Sequence, residues 1–135
     1  MATLSQTVAK LGRLVEAEVT LPTATGPVNS VTIPANAVVL AAGAVVTQAV
    51  AGSTAHTFNL DLGGTDIATA LNVQAASLGD ILVEACTPVA TTAEASIVVD
   101  STVTGAGTAG KVRVWALVLD MTAPIAADEV ARDQI

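Results

Sequence analysis

The side chains best suited to chemistry in this sequence are oxygen donors between positions 59 and 66. Asn59, Asp61 and Asp66 flank the pair Gly63-Gly64, which places several carboxylate and amide oxygens within eight residues. Hard cations such as Ca²⁺ bind carboxylate and carbonyl oxygens that a tight loop holds together. The spacing does not match the EF-hand loop, so an ordinary acidic turn is favoured and cation binding stays open.

Acid–base and nucleophilic catalysis find little support in the sequence. The single histidine, His56, alternates with Phe58 and Leu60 on one apolar side, which is typical of a packed histidine. No serine lies in a Gly-x-Ser-x-Gly motif, so a hydrolytic triad is not indicated. Glu16 and Glu18 are two residues apart, as solvated carboxylates on a strand often are.

Two further features have structural interpretations. The glycine-rich stretch Gly105–Gly110 lacks the Gly-Lys-Ser/Thr ending of a phosphate-binding loop and leads into a strand pattern. Cys86 is the only cysteine, so it forms no disulfide within the chain, and it is predicted to be a small buried apolar residue.

The composition favours a structural protein over an enzyme. Ala, Val and Thr supply 65 of the 135 residues, whereas the chain has one Phe, one Trp, no Tyr, one His and one Cys. Sites of catalysis usually recruit the residue types that are scarce in this chain, so no catalytic residue, cofactor or metal is predicted. A core with so few aromatic rings and a surface with only 13% charged residues predict that the chain is a homo-oligomer.

Charge and hydropathy exclude several partners. The formal net charge is −7, and five scattered basic residues cannot neutralise a phosphate backbone or an anionic membrane surface. Residues 1–13 lack the pattern of a secretory signal, which predicts synthesis in a cytoplasm. The apolar stretch at 35–51 is too short to span a bilayer.

Period-two patterns and turn residues predict one all-β domain, an antiparallel β-sandwich or jelly roll over residues 14–122. An N-terminal arm is predicted for residues 1–13 and a C-terminal tail for 123–135. The predicted strands are Gly12–Leu21, Val28–Ile33, Val38–Val50, His56–Leu62, Gly79–Cys86, Ala95–Thr104 and Val112–Leu119.

Three local predictions accompany these strands. The stretch 38–50 is either one long strand, bent or bulged near Gly43, or two strands that meet there. Helical spacing behind a cap at Thr65 or Asp66 predicts a short helix over residues 65–78. The glycines of 105–110 predict a hairpin between the last two strands, and Trp115, on a strand with two apolar sides, is expected to be buried in the fold or at an interface.

Several of these segments resemble small structural proteins of tailed bacteriophages. The resemblance rests on Val31–Val39, which contains IPANAVV, on Val45–Val50, on Thr57–Gly64 and on the segment GAGTAGKVRV from Gly105 to Val114. The stretch after Met121 has no counterpart in that pattern. The resemblance implies a virion component.

Among virion components, size and composition favour a capsid decoration or cement protein. The resemblance implies a partner in the major capsid protein, a position on the outer capsid surface and a homo-oligomer, with a trimer favoured. The alternative is a tail-fibre or receptor-binding and carbohydrate-binding jelly-roll module. Such a module usually stacks aromatic rings on sugar, and Trp115 with Phe58 offers little for that.

Overall fold

The computed structural model describes residues 12–84 and 86–121, and within them the chain forms nine β-strands and no helix. The strands are β1 (Arg13–Thr20), β2 (Gly26–Ile33), β3 (Ala37–Gln48), β4 (Ala55–Leu62), β5 (Thr65–Asn72), β6 (Ile81–Val83), β7 (Val89–Ala90), β8 (Ala95–Thr104) and β9 (Lys111–Asp120). The predicted all-β class is confirmed. The predicted arm, up to residue 11, and the predicted tail, 123–135, lie outside the described residues.

The strands form two antiparallel sheets. The first, which we call the β1 sheet, has the order β1-β9-β3-β6, and β7 also pairs with β3. The second, the β2 sheet, has the order β2-β8-β4-β5. Among the described strands, only β4 and β5 are both consecutive and paired with each other. Most other connections therefore carry the chain from one sheet to the other.

Both sheets contribute side chains to one hydrophobic core. Val39 and Val114 of the β1 sheet and Leu60 and Val99 of the β2 sheet are all fully buried members of this cluster. Strands β4 and β9 bury every second residue, as their alternating sequences predict. The core therefore consists mainly of Val, Ala, Leu and Ile side chains, with one aromatic ring, that of Phe58.

The helix predicted for residues 65–78 is wrong, because Thr65–Asn72 forms β5 and pairs with β4. The register of this pair shifts twice, so the buried residues fall at Ile67, Ala68 and Leu71. An extra residue at a β-bulge reverses the side to which the following side chains point. The resulting spacing imitates the apolar stripe of a helix.

β3 is one continuous strand, so the alternative of two strands that meet at Gly43 was wrong. Its pairing with β9 shifts register between Val39 and Ala41 and again between Val46 and Gln48, which agrees with the alternative of a single bulged strand. The pairing of β3 with β9 runs without a shift through Gly43 and its partner Trp115. A Cβ atom on Gly43 would lie 2.7 Å from Cζ2 of Trp115 and 2.8 Å from the carbonyl oxygen of Leu82. The glycine is required because the indole ring and the backbone of the neighbouring strand occupy that space.

The hairpin predicted at residues 105–110 is also wrong, because β8 and β9 belong to different sheets. The segment packs instead against the loop between β3 and β4. Thr108 donates its N–H to the carbonyl oxygen of Ala51 at 2.8 Å, and a Cβ on Gly107 would lie 2.8 Å from that same oxygen. These glycines therefore allow two loops to approach closely.

The IPANAVV motif forms the corner between β2 and β3. Ile33 ends β2, Asn36 adopts a φ of +57°, and Ala37 begins β3. The buried hydroxyl of Thr91 donates to the carbonyl oxygen of Pro34 at 2.7 Å and accepts the N–H of Ala37 at 3.1 Å. The motif thus has a structural explanation, because a residue of a distant segment satisfies the polar groups of the corner.

Candidate interaction surface

The oxygen donors between positions 59 and 66 stabilise the β4–β5 hairpin. Asn59 Oδ1 accepts the N–H of Ala70 at 2.8 Å, and Asp61 Oδ1 accepts the N–H of Gly64 at 3.0 Å. Asn59 also donates through Nδ2 to Asp66 Oδ2 at 3.5 Å. In the described parts of the chain, no three His, Cys, Asp or Glu side chains are grouped so that they could hold a metal ion. The favoured interpretation as an acidic turn agrees with these contacts.

His56 is packed in the core, as its sequence pattern predicts. The side chain is 1% exposed, and within the described residues its Nε2 atom has no hydrogen-bond partner. Burial removes water from the imidazole and lowers the pKa of His56 below 6.5. The hydroxyl of Ser101 is also buried and has no hydrogen-bond partner among the described residues. The hydroxyl of Ser53 donates to Oε1 of Gln74. None of these contacts links a serine to the histidine.

The other candidate side chains have ordinary partners. The half-buried thiol of Cys86 packs against the core and donates to the carbonyl oxygen of Ala42 at 3.4 Å. Glu16 accepts a hydrogen bond from the Arg113 guanidinium at 3.3 Å, and both side chains are about half exposed, at 49% and 44%. Such an exposed ion pair contributes at most about 1 kcal/mol to folding.

The side of the β1 sheet that faces away from the core carries most of the large hydrophobic residues that are exposed in the described part of the chain. Five large aliphatic side chains of this sheet are exposed by 38% to 64% of their surface. They are Leu14 on β1, Leu40 on β3, Ile81 and Val83 on β6, and Leu117 on β9. We call these five residues, together with Trp115, the apolar face. Contiguous exposed apolar surface of this kind marks a site of interaction.

Trp115 occupies the middle of the apolar face. It is half-buried on β9, opposite Glu16 of β1 on one side and Gly43 of β3 on the other. Its ring covers the space that a side chain at position 43 would otherwise fill. The other aromatic ring, that of Phe58, is 1% exposed and therefore cannot stack on a sugar. The ring of Trp115 therefore lies between the charged pair Glu16–Arg113 toward β1 and the apolar positions toward β3 and β6.

The outward side of the β2 sheet has the opposite character. On the central strands β8 and β4, the residues that alternate with the buried ones include Asp100, Thr102, Thr57 and Asn59. None of the large hydrophobic residues that are exposed in the described segments lies on the strands of this sheet. This side therefore resembles an ordinary hydrated protein surface.

The charges divide between the sheets in the same way. Strands of the β1 sheet carry three basic side chains and three acidic ones, so their formal charge is zero. Strands of the β2 sheet carry Asp61, Asp66 and Asp100 and no Lys or Arg, which gives a formal charge of −3. The three basic residues of the described strands, Arg13, Lys111 and Arg113, thus all lie in the β1 sheet.

The sequence indicated only part of the apolar face. The two apolar sides of β9 were the signal for Trp115 and Leu117. Leu14 gave no such signal because it shares its side of β1 with the charged residues Glu16 and Glu18. Short β6 contains only three residues, too few to show a period.

None of the described residues lies in a helix that is long and apolar enough to cross a membrane.

Comparison with solved structures finds the same fold in two bacteriophage capsids. A chain in the acidic stable capsid of Helicobacter pylori bacteriophage KHP30 is 16% identical, with a TM-score of 0.56 over 80% of this chain and 86% of that chain. A chain in the capsid asymmetric unit of cyanophage Pam1 is 17% identical, with a TM-score of 0.58 over 79% of this chain and 83% of that one.

No protein-family model and no curated protein matches the sequence. At identities of 16% and 17%, the likeness to the two capsid chains shows the fold alone. The resemblance to bacteriophage structural proteins that the sequence motifs predicted is confirmed at that level.

Proposed function

We infer that this chain is a non-enzymatic structural protein of a bacteriophage virion and, more specifically, a capsid decoration or cement protein that binds the assembled head from outside. One observation carries the inference: the fold is shared with chains of two bacteriophage capsids over 80% and 79% of this chain. The major capsid protein is the partner that this function requires.

The strand order supports a jelly-roll architecture. The orders β1-β9-β3-β6 and β2-β8-β4-β5 place consecutive strands mainly in opposite sheets. Two antiparallel four-stranded sheets connected in this way are characteristic of a jelly roll, a fold that recurs in viral capsids. The short β7 is an addition to the edge formed by β6, since both pair with β3.

The chemistry of the described surface supports a role in binding. His56 is buried away from solvent. At the β4–β5 turn, Asp61 accepts the N–H of Gly64 and Asp66 accepts a hydrogen bond from the side-chain amide of Asn59. The most distinctive surface is the apolar face, which suits contact with another protein. These features favour a protein whose function is to adhere to neighbouring subunits.

The proposed mechanism is stabilisation by mass action. A protein that binds the assembled shell and not its dissociated subunits adds its binding free energy to the stability of the shell. Many copies on one head add many such increments, so the shell resists expansion and the pressure of packaged DNA. A trimer and a capsid-contacting arm at residues 1–13 belong to the same proposal.

Genetic deletion of this protein tests the proposal. Particles that lack it are expected to assemble and to package DNA, but to release their genomes at lower temperature or after osmotic shock. Adding purified protein back to the deleted particles should restore heat resistance, because the binding sites are present on the finished shell. Adsorption to host cells should remain normal.

The same experiment separates the cement function from a tail-fibre or receptor-binding function. An adhesin contributes free energy only when the host surface is present. Deletion particles with normal heat resistance and defective adsorption would therefore contradict the cement proposal. Immunogold labelling of wild-type virions, with label on heads or on tails, provides an independent measurement of the location.

A further inference from the structure

The apolar face requires a partner because of how its residues are exposed. Leu14, Ile81 and Val83 expose 61%, 64% and 55% of their surface, and Leu117 exposes 38%. These positions lie on β1, β6 and β9, and Leu40 adds an exposed side chain on β3 between β9 and β6, so all four neighbouring strands of the sheet contribute exposed apolar groups. Burying them against a protein would remove this apolar area from water.

The apolar face is also rigid. Its central strand, β9, pairs with β1 along one edge and with β3 along the other. The ring of Trp115 packs directly over the backbone of Gly43, because this glycine has no side chain that would hold the ring away. A rigid aromatic group at the centre of a surface loses little conformational entropy when a partner covers it. Tryptophan is enriched among the residues that dominate binding energies for this reason.

Charge indicates which partner fits. The chain has a formal net charge of −7, so two copies repel each other unless they meet through a surface without excess negative charge. The strands of the β1 sheet carry equal numbers of acidic and basic residues, whereas those of the β2 sheet carry only acidic ones. Contact between copies therefore costs least electrostatically through the β1 sheet.

The arrangement of these charges is compatible with self-association. Glu18 lies opposite Arg113 in the pairing of β1 with β9, and Glu16 forms an ion pair with the same arginine. In a contact with two-fold symmetry the same surface serves both partners, whereas around a three-fold axis each copy contributes two different patches to its two neighbours. A surface that presents carboxylates and a guanidinium side by side can offer each to its opposite in a neighbouring copy.

We propose that another copy of this chain covers the apolar face, so that the outward side of the β1 sheet is the self-association surface of the protein. The proposal rests on the homo-oligomer that forms part of the proposed function and assigns its contact to named residues. The acidic outward side of the β2 sheet remains exposed in the oligomer.

Matched glutamate variants of the full-length protein test this assignment. Leu14→Glu and Leu117→Glu each place a charge in the apolar face, and Thr102→Glu places the same charge on the exposed outward side of the β2 sheet. Sedimentation velocity over a concentration series should show the dissociation constant of the oligomer raised at least tenfold by the first two variants. The Thr102 control should leave it unchanged, and Leu14→Met should behave as the wild type.

Fluorescence of Trp115 gives a second measurement that needs no substitution. It is the only tryptophan and lies in the middle of the apolar face, so dilution of the wild-type oligomer should shift its emission to longer wavelength as the subunits separate. The shift should follow the mass change seen in sedimentation. Circular dichroism checks that each glutamate variant retains its β-structure.

Three results would overturn the proposal. An oligomer that resists both apolar-face variants would associate through another surface, and the cement function would be unaffected. A monomer whose emission is at short wavelength at every concentration would cover the face with its own residues. A monomer whose Trp115 emission is at long wavelength, and shifts only when deletion particles are added, would show that the capsid and not another copy covers the apolar face.

Discussion

The outward sides of the two sheets differ although their inward sides are alike. Both sheets bury alternating Val, Leu, Ile and Ala residues in a single core. Outside, the β1 sheet exposes leucine, isoleucine and valine, whereas the β2 sheet exposes threonine and aspartate. Folding requires only the inward alternation, so the outward composition is free to reflect what each side contacts. The difference is the one expected if, as proposed, the β1 sheet contacts protein and the β2 sheet faces water.

The largest expected effect is the loss of stability caused by a side chain at position 43, and it tests whether packing on the outward side is tighter in the β1 sheet than in the β2 sheet. Gly43→Ala places a Cβ within 2.8 Å of the Leu82 carbonyl oxygen and within 2.7 Å of the Trp115 ring. We expect the free energy of unfolding to fall by about 1 to 3 kcal/mol, because overpacking forces the ring and the strand apart. Urea denaturation followed by far-ultraviolet circular dichroism at fixed protein concentration measures it.

The matched control for this prediction lies in the β2 sheet. A Cβ on Gly26, the first residue of β2, would meet no atom within 4 Å. Gly26→Ala should therefore change the free energy of unfolding by less than about 0.5 kcal/mol. Equal losses for both alanine variants would show that the contact between Gly43 and Trp115 is not what constrains the β1 sheet.

A smaller effect of the opposite sign is expected at the edge of the β2 sheet. Ala70 on β5 has a φ of +53°, a left-handed conformation that costs an alanine about 1 kcal/mol. Ala70→Gly should therefore raise the free energy of unfolding in thermal or urea denaturation, by less than about 1 kcal/mol because glycine also loses more backbone entropy on folding than alanine does. Ala55→Gly, on neighbouring β4 at an ordinary φ, should lower it. A loss of stability in both variants would contradict the strain assigned to β5.

The smallest effect concerns the inward side of the β2 sheet. The pKa of His56 lies below 6.5 in the folded protein because burial disfavours the charged imidazole. The unfolded chain therefore binds the proton first, so stability is complete above pH 6.5 and falls as the pH decreases toward the folded pKa. Even full exclusion of the proton gives a loss of at most about 0.7 kcal/mol between pH 7 and pH 6.

Replacing the histidine isolates this contribution. His56→Leu removes the titrating group while keeping an apolar side chain in the core. The difference in unfolding free energy between wild type and variant should change between pH 7 and pH 6 and remain constant between pH 8 and pH 7.5. A difference that is independent of pH would show that the imidazole does not resist protonation in the fold.

Local alternation made some strands predictable, and contacts between distant residues made others unpredictable. The strand Ala95–Thr104 agrees with its predicted bounds, and β4 and β9 agree within one residue at each end, because both pattern and turn residues act locally. Strand β5 was mistaken for a helix because its bulges depend on pairing with β4. The sheet to which β9 belongs depends on long-range packing, which the glycines of the preceding loop do not encode.

The apolar face was less predictable than the fold for a similar reason. Sequence periodicity shows which residues of a strand share a side, but not which strands lie next to each other. Leu14, Trp115 and Val83 come together only because the sheet order places β9 between β1 and β3, with β6 beyond β3. Likewise, one can recognise that Gly43 leaves room for the Trp115 ring only once the two residues are known to be neighbours.

The tip of the β4–β5 hairpin has a consequence for engineering and for natural length variation. Side-chain positions at Gly63 and Gly64 meet no atom within 4 Å, whereas Gly107 in the β8–β9 crossover is confined by Ala51 and Ser53. Exposed turn tips tolerate inserted residues far better than confined segments do. A foreign peptide spliced between Gly63 and Gly64 would extend a turn of the β2 sheet and leave the apolar face untouched. This turn is therefore the position where the molecule can display added sequence while keeping its other contacts.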